Sequence, residues 1–304
     1  MAMTFGEFFQ VYAADVRPRL REHTWRQKEY TIKSKILPFF KKKRMAEISS
    51  LDIVRWQNEL MSPDANDGKG YSPTYLRTVN NQLTAILNHA ERFYGLNPNP
   101  AVRTMKMGSK DTKEMNFWTK EEYLKFADVM MESPMFFVIF EILYWTGIRE
   151  GELLALTPDS FDWSRNTMRI DKSYQRLGER DVITDPKTPK SIRTVKLPSF
   201  LAETIRDYLS KHPKIGPGDR MFPVSKSQLS RVMKRGSEKA GVKRISIHDL
   251  RHSHVSLLID MGFSAVAIAD QMGHESDITF RYAHLLPNIQ DDMANELDNE
   301  RGGF

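Results

Sequence analysis

Between Ser72 and Gly95 the chain carries Leu76, Val79, Leu83, Ile86, Leu87 and Ala90 at the three- and four-residue spacing of a single helix face. Ser72 followed by Pro73 is an N-cap with proline at the first helical position, and Gly95 is a stop signal. A helix of this length must bury its stripe against other elements, and the residues before it supply partners of the same period. Thr4 with Glu7 forms a capping-box pattern, and Phe5, Phe8, Phe9 and Tyr12 follow at helical spacing. A second helix is expected over Thr24–Leu37, stopped near Pro38. Ser49 with Asp52 caps a third, which carries Ile53, Val54, Trp56, Gln57 and Leu60, and residues 62–70 read as a loop. Four such helices form an all-α first domain, expected over residues 1–106.

A polar stretch follows, and a linker is expected over 107–116, with a second domain over 117–304. There Thr119 and Glu122 repeat the capping box. Pro134 opens a buried helix, apolar except for Glu141 in its middle, that ends at Gly147. The period then changes to two over Thr167–Asp171, Asp181–Thr184 and Ile192–Leu197, which predicts three short antiparallel strands, the last two joined by a turn bearing Lys187. Helices resume at Ser199, Ser227, His248 and Ser264. The fold class is therefore mainly α with a small antiparallel β-sheet. No apolar run reaches the ~20 residues a membrane span needs, and the start lacks a signal-peptide core. With no cysteine, disulfides, thiolate catalysis and Cys-based zinc sites are excluded, and a cytoplasmic location is expected.

Charge is unevenly placed. Residues 1–106 hold 17 Lys and Arg against 10 Asp and Glu, whereas the remainder holds 28 against 29. A basic third beside a nearly neutral remainder fits a footprint for a polyanion, or else a solvated lysine-rich helical surface.

Four separated signals carry chemistry. Arg149, just past Gly147, stands where a guanidinium can reach a phosphate, and Glu152 three residues on can orient it; a structural ion pair has the same spacing. Lys187 at its turn is either a solvated lysine or a mobile proton donor to a departing alkoxide. His248 and Arg251 share a face near a helix start. His248 with His252 would also suit two ligands of a metal site, although no carboxylate stands at a convincing ligand spacing. Gly273-His274 precedes Tyr282, a residue type more often buried, here among Asp277, Thr279, Arg281 and His284. Together they suit attack on a phosphodiester. Two guanidiniums can neutralise the pentacovalent charge, histidines can take the proton of a phenol whose pKa is ~10, and a lysine can protonate the leaving oxygen.

The segments TGIREGELLAL, PKTPKSIRTVKLP, HDLRHSHVSLLI and MGHESDITFRYAHLLP, in this order, resemble the tyrosine recombinase (phage integrase) family from about Phe117 to Pro287. The resemblance implies Arg149, Lys187, His248, Arg251 and His274 as the active-site set, Tyr282 as nucleophile and Glu152 as support for the first arginine. It implies the two-domain architecture of that family, in which the basic helical domain is a core-binding clamp; Arg26, Lys28, Lys33 and Arg77 are its candidate phosphate contacts. DKSYQRL with DVITDPKTPKSIRTVKLP is similar to integrases of conjugative transposons and related phages of Gram-positive bacteria. Many of those carry a further N-terminal arm-binding domain; Met1-Ala2-Met3 favours its removal here over a natural lack of it. Met272 departs from the commoner leucine. The implied function is a site-specific recombinase that integrates or excises a mobile element through a 3′-phosphotyrosyl intermediate. The alternatives are a type IB topoisomerase-like nicking-closing enzyme and a catalytically silent DNA-binding accessory protein. The ester link conserves bond energy, so no cofactor and no metal are expected. The expected partners are double-stranded DNA at attachment or core sites, a directionality factor, and further copies of the chain as a dimer or tetramer on DNA. Ile289, Met293 and Leu297 in residues 287–297 would pack onto a neighbouring protomer, and the bound protein would be nucleoid-associated.

Overall fold

The computed structural model describes residues 2–109, 115–185 and 191–273. Its contacts divide the chain into Met1–Glu114 and Met115–Phe304. Met107 is buried in the core of the first unit, and Met115 packs against a small cluster of the second.

The first unit is helical. Phe5–Val16 starts with the capping box: the Thr4 hydroxyl accepts from the Glu7 amide, and the Glu7 carboxylate accepts from the Thr4 amide at 2.7 Å. Ser50–Met61 starts the same way, through Ser49 and Asp52. The long helix Pro73–Tyr94 runs from the Ser72 cap to a left-handed Gly95 and buries the expected stripe, Leu76 to Ala90. That stripe packs on Phe5, Phe8, Phe9, Tyr12, Trp25 and Trp56. Each such side chain contributes about 1.5–3 kcal/mol on burial.

The second helix does not stop near Pro38. Glu22–Thr31 continues through a π-helical stretch, Ile32–Ile36, into Leu37–Phe40. Proline has no amide hydrogen and its ring crowds the preceding turn, which normally breaks a helix. The wider turn, with the Leu37 amide donating to the Ile32 carbonyl, carries the chain past it. The Lys35 carbonyl accepts from the Trp56 indole at 2.8 Å, so a tertiary contact supports the irregular turn.

In the second unit, Pro134–Thr146 is buried along most of its length. Its one acid, Glu141, accepts a hydrogen bond from Tyr123, whose ring stacks on Tyr144 at 3.6 Å. The strands differ from expectation. β1 (Phe161–Asp162), β2 (Thr167–Ile170) and β5 (Arg193–Lys196) make one antiparallel sheet in the order β1-β2-β5. β3 (Ser173–Leu177) and β4 (Arg180–Thr184) form a separate hairpin. The two strands expected to share the Lys187 turn thus lie in different sheets, and β3 was not expected at all. Leu177 pairs with Arg180 across Gly178-Glu179, and Gly178, at φ 65°, supplies the backbone that so tight a turn requires. Among the described residues, the five strands keep the class mainly α with small antiparallel pairings. Among the described residues, no helix is long and apolar enough to cross a membrane.

Candidate active site

The site grows from the end of the buried helix. Pro134–Thr146 closes on Gly147 at φ 61°, a left-handed cap with no room for a side chain: an added Cβ would stand 2.7 Å from His254 Cδ2 and 2.8 Å from Met272 Cε. Two residues on, Arg149 begins the short helix Glu150–Leu153. Glu152, buried, accepts from the Arg149 guanidinium at 2.8 Å and from the Arg149 backbone amide at 2.9 Å. The same carboxylate receives Arg193 from β5, with Nη2 at 2.9 Å and Nη1 at 3.3 Å. Burial alone would raise the Glu152 pKa, but the hydrogen bonds and charge of Arg193, with those of Arg149, hold it below the usual carboxylate range.

Arg251 comes from the helix Asp249–Asp260 and is buried. Its Nη1 donates to the Gly147 carbonyl at 2.7 Å and its Nη2 to the Met272 carbonyl at 2.8 Å. Both are neutral acceptors, so these bonds fix the guanidinium without cancelling its charge. Arg193 Nε donates to the Gln271 carbonyl at 2.9 Å. Two arginines thus meet the last carbonyls of the Ala265–Met272 helix, where unpaired oxygens and the negative end of the helix dipole favour cations. The chain then turns at Gly273, φ 64°.

His248 precedes the Asp249–Asp260 helix and remains open to solvent. Lost hydration around the imidazole lowers its pKa, and the charges of Arg251 and Arg149 lower it further against the pull of Asp249. His252 lies edge-on to it at 5.0 Å between ring centroids. Among the described residues, no group of three or more His, Cys, Asp or Glu side chains gathers as a metal would need. His254, fully buried, accepts at Nε2 from the Gln271 amide nitrogen at 3.1 Å, and burial pushes its pKa down to about 4.

Of the residues singled out by sequence, Arg149, Glu152, His248 and Arg251 come together here, brought from segments about a hundred residues apart by the Arg251 bond to Gly147. Lys187, His274 and Tyr282, with the 287–297 segment, lie outside the described residues. In the first unit Arg26 pairs with Glu22 at 2.8 Å and Lys33 with Glu29 at 2.9 Å, both as exposed pairs one helical turn apart. Lys28 donates to Gln82 at 2.7 Å and lies over the Tyr12 ring, and burial lowers its pKa. Arg77 is half-buried near the start of the long helix. Arg193 is not among the residues that the sequence motifs single out. The signal that could have found it is parity: Arg193 shares the strand face of Val195 and Leu197, both buried, and an inward-pointing arginine needs a partner.

Comparison with known proteins bears on the family and the fold. The profile of the phage integrase N-terminal SAM-like domain matches residues 4–61. Among curated relatives, the ICEBs1 integrase of Bacillus subtilis (strain 168) is 27% identical, the match covering 98% of this chain and 83% of that protein. The putative prophage phiRv2 integrase of Mycobacterium tuberculosis is 24% identical over 95% of this chain and 76% of that one. Among solved structures, the Tn1549 transposon integrase in complex with transposon right end DNA superposes with a TM-score of 0.78 at 17% identity, covering 98% of this chain and 99% of that one. A lambda integrase dimer bound to a COC′ core site gives 0.68 at 17% identity, over 92% and 77%. The profile of the phage integrase family itself matches residues 116–288, more than half of the sequence. The chain therefore belongs to the phage integrase family, and it is a site-specific tyrosine recombinase of the kind that integrates or excises mobile elements.

Proposed function

We propose that the chain cleaves and rejoins duplex DNA through a 3′-phosphotyrosyl intermediate, with Tyr282 as nucleophile. The Tyr282 phenolic oxygen bonds to phosphorus as the bond from phosphorus to the 5′ oxygen breaks. The phenol proton passes to His248 or His274, and Lys187 gives a proton to the departing 5′ oxygen. Arg149 and Arg251 bind the nonbridging oxygens and take up the charge that develops there. Rejoining reverses these transfers and draws on the energy kept in the ester.

One observation carries the reading: the Arg251 guanidinium is anchored by the Gly147 and Met272 carbonyls, and Gly147 lies two residues before Arg149, so the two arginines are fixed side by side. Two guanidiniums fixed together suit a transition state that gathers negative charge on its nonbridging oxygens. The lowered pKa of His248 favours a neutral imidazole near pH 7, the form that accepts a proton.

The basic residues of the first unit fit a clamp on the phosphate backbone. The ion pairs of Arg26 and Lys33 are exposed and worth only about 0.3–0.5 kcal/mol each, so both cations can exchange a carboxylate for a phosphate at little cost. Lys28 stands on the Glu22–Thr31 helix with Arg26, and Arg77 on the first turns of Pro73–Tyr94. In this division of labour residues 1–106 grip DNA, 107–116 connect, and 117–304 perform the chemistry. On DNA the chain assembles as a dimer or tetramer, with residues 287–297 packing onto a neighbouring copy. The lambda integrase tetramer bound to a Holliday junction supports this assembly. A directionality factor and nucleoid association complete the proposal.

The test is covalent trapping. Wild-type protein is incubated with a pool of nicked suicide duplexes carrying a randomised core, then run on a denaturing gel. An adduct that disappears in Tyr282→Phe is expected. An adduct that survives that substitution, or none with wild type, refutes the proposal. Relaxation of supercoils without exchange between two sites would instead favour the nicking-closing alternative.

A further inference from the structure

We propose that Arg193 is a positioning residue for strand cleavage: it offsets the charge of Glu152, so that Arg149 presents an uncancelled guanidinium to the phosphate. This rests on the recombinase reading above and names a residue on which that reading does not depend.

Glu152 alone would defeat its own purpose. It orients Arg149 through two hydrogen bonds, at 2.8 Å to the guanidinium and 2.9 Å to the backbone amide. A carboxylate so close also pairs the charge, and an approaching phosphate would meet a neutral couple. Arg193 changes the balance. It grips both oxygens of the same carboxylate, at 2.9 Å and 3.3 Å, giving a row of plus, minus, plus with a net positive charge. The two arginines are not interchangeable. The Arg149 side chain is 38% exposed, whereas that of Arg193 is 7% exposed. Arg149 can reach a ligand; Arg193 cannot, and acts through Glu152.

The rest of the Arg193 guanidinium is also committed. Nε donates to the Gln271 carbonyl at 2.9 Å and Nη1 to the Ser191 carbonyl at 3.2 Å. These contacts fix the side chain in its fork, with bidentate geometry that lysine cannot copy. Charge and geometry therefore make separable contributions: lysine at this position keeps the first and gives up much of the second.

The experiment measures adduct formation on the suicide duplex that wild-type protein traps best from the randomised pool, for wild type, R193Q, R193K, E152Q and E152Q/R193Q. The saturated rate, the half-saturating duplex concentration and the thermal midpoint are read for each. R193Q is expected to lower the saturated rate by about 10- to 100-fold, the range typical of removing a supporting partner. R193K is expected to stay within about 10-fold of wild type because it restores the charge. With Glu152 neutralised, removal of Arg193 has little left to change, so E152Q/R193Q is expected within about 3-fold of E152Q, the behaviour of coupled sites. An unchanged rate in R193Q overturns the inference, as does R193K as slow as R193Q. A rate that simply follows the thermal midpoint across the series also overturns it. If R193Q does not fold, the R193K comparison and the E152Q background decide in the same terms. Failure of wild type to form any adduct refutes the recombinase chemistry itself; an active wild type with an indifferent Arg193 refutes only this role.

Discussion

Gly147 joins the buried helix to the first arginine, and its replacement by alanine tests both stability and the site. Two costs combine. A left-handed backbone at φ 61° costs an L-residue about 1–2 kcal/mol, of which 0.4–1 kcal/mol is returned because alanine stiffens the unfolded chain. The added methyl would also stand 2.7 Å from His254 Cδ2 and 2.8 and 3.0 Å from Met272 Cε and Sδ. Met272 is a flexible side chain, but it is fully buried, and the His254 ring is tied to Gln271, so neither yields freely. Crowding of this kind adds about 1–3 kcal/mol. The sum is about 2–4 kcal/mol, or a fall in thermal midpoint of roughly 5–12 °C for a unit of this size. Gly241 supplies the internal control: its φ is 66°, and nothing lies within 4 Å of the Cβ it lacks. G241A should therefore cost about 1 kcal/mol, the backbone share alone. Because the Gly147 carbonyl holds Arg251 at 2.7 Å, G147A should also slow adduct formation, while G241A leaves it near wild type. Denaturant melts of both variants give the comparison. A difference between them below about 0.5 kcal/mol would refute the crowding argument, since overpacking is worth more than that.

Two further outcomes follow from charges. His254 has a folded pKa of about 4 against an ordinary value of 6.5, so the unfolded chain binds its proton first as pH falls. The stability that the neutral ring contributes is complete above pH 6.5 and is lost progressively towards pH 4, by up to about 3 kcal/mol. Burial raises the pKa of Glu141 and of Glu150, and those shifts work in the opposite direction, so the measurement is the difference in melting midpoint between wild type and H254Q across that window. A difference that stays constant with pH would contradict the assignment. For DNA affinity, R26A and K33A should each flatten the plot of log K against log salt by about 0.9, one phosphate contact apiece. K28A should flatten it less, because that ammonium is already given to Gln82 and the Tyr12 ring. Equal slopes for all three variants would show that these partners do not hold Lys28 back.

Local signals were legible in the sequence, and contacts between distant segments were not. Capping boxes at Thr4, Ser49 and Thr119 involve groups three residues apart, and all three form as read. The Pro38 helix was misread because its continuation depends on a π turn supported by Trp56, a residue 21 positions away from Lys35. The strand pairing was misread for a related reason. β2 pairs with β5 across more than twenty intervening residues, and period-two alternation says which residues form a strand but not which strand they join. β3 escaped notice although its alternation buries Tyr174 and Leu177, because its charged neighbours blur the pattern and part of its stability lies outside the strand. Tyr174 donates to Asp181 at 2.8 Å and stacks under the Arg220 guanidinium at 3.8 Å.

At the site, the same divide separates what motif order can reveal from what packing adds. Arg149, Glu152, His248 and Arg251 are visible as motifs because their spacings are short. What makes them one centre is not in any motif: the Gly147 and Met272 carbonyls come to Arg251 from 104 and 21 residues away, and Arg193 reaches Glu152 across 41. These bonds share a logic. Each anchors a guanidinium by its edges, on carbonyl oxygens or on one carboxylate that serves two cations, so that its geometry is fixed. Ordinary buried ion pairs cancel charge to limit the cost of desolvation. Here one buried carboxylate, Glu152, serves both Arg149 and Arg193. That excess of cation over acid around Glu152 is the physical reason to read this cluster as a site for an anion rather than as part of the scaffold.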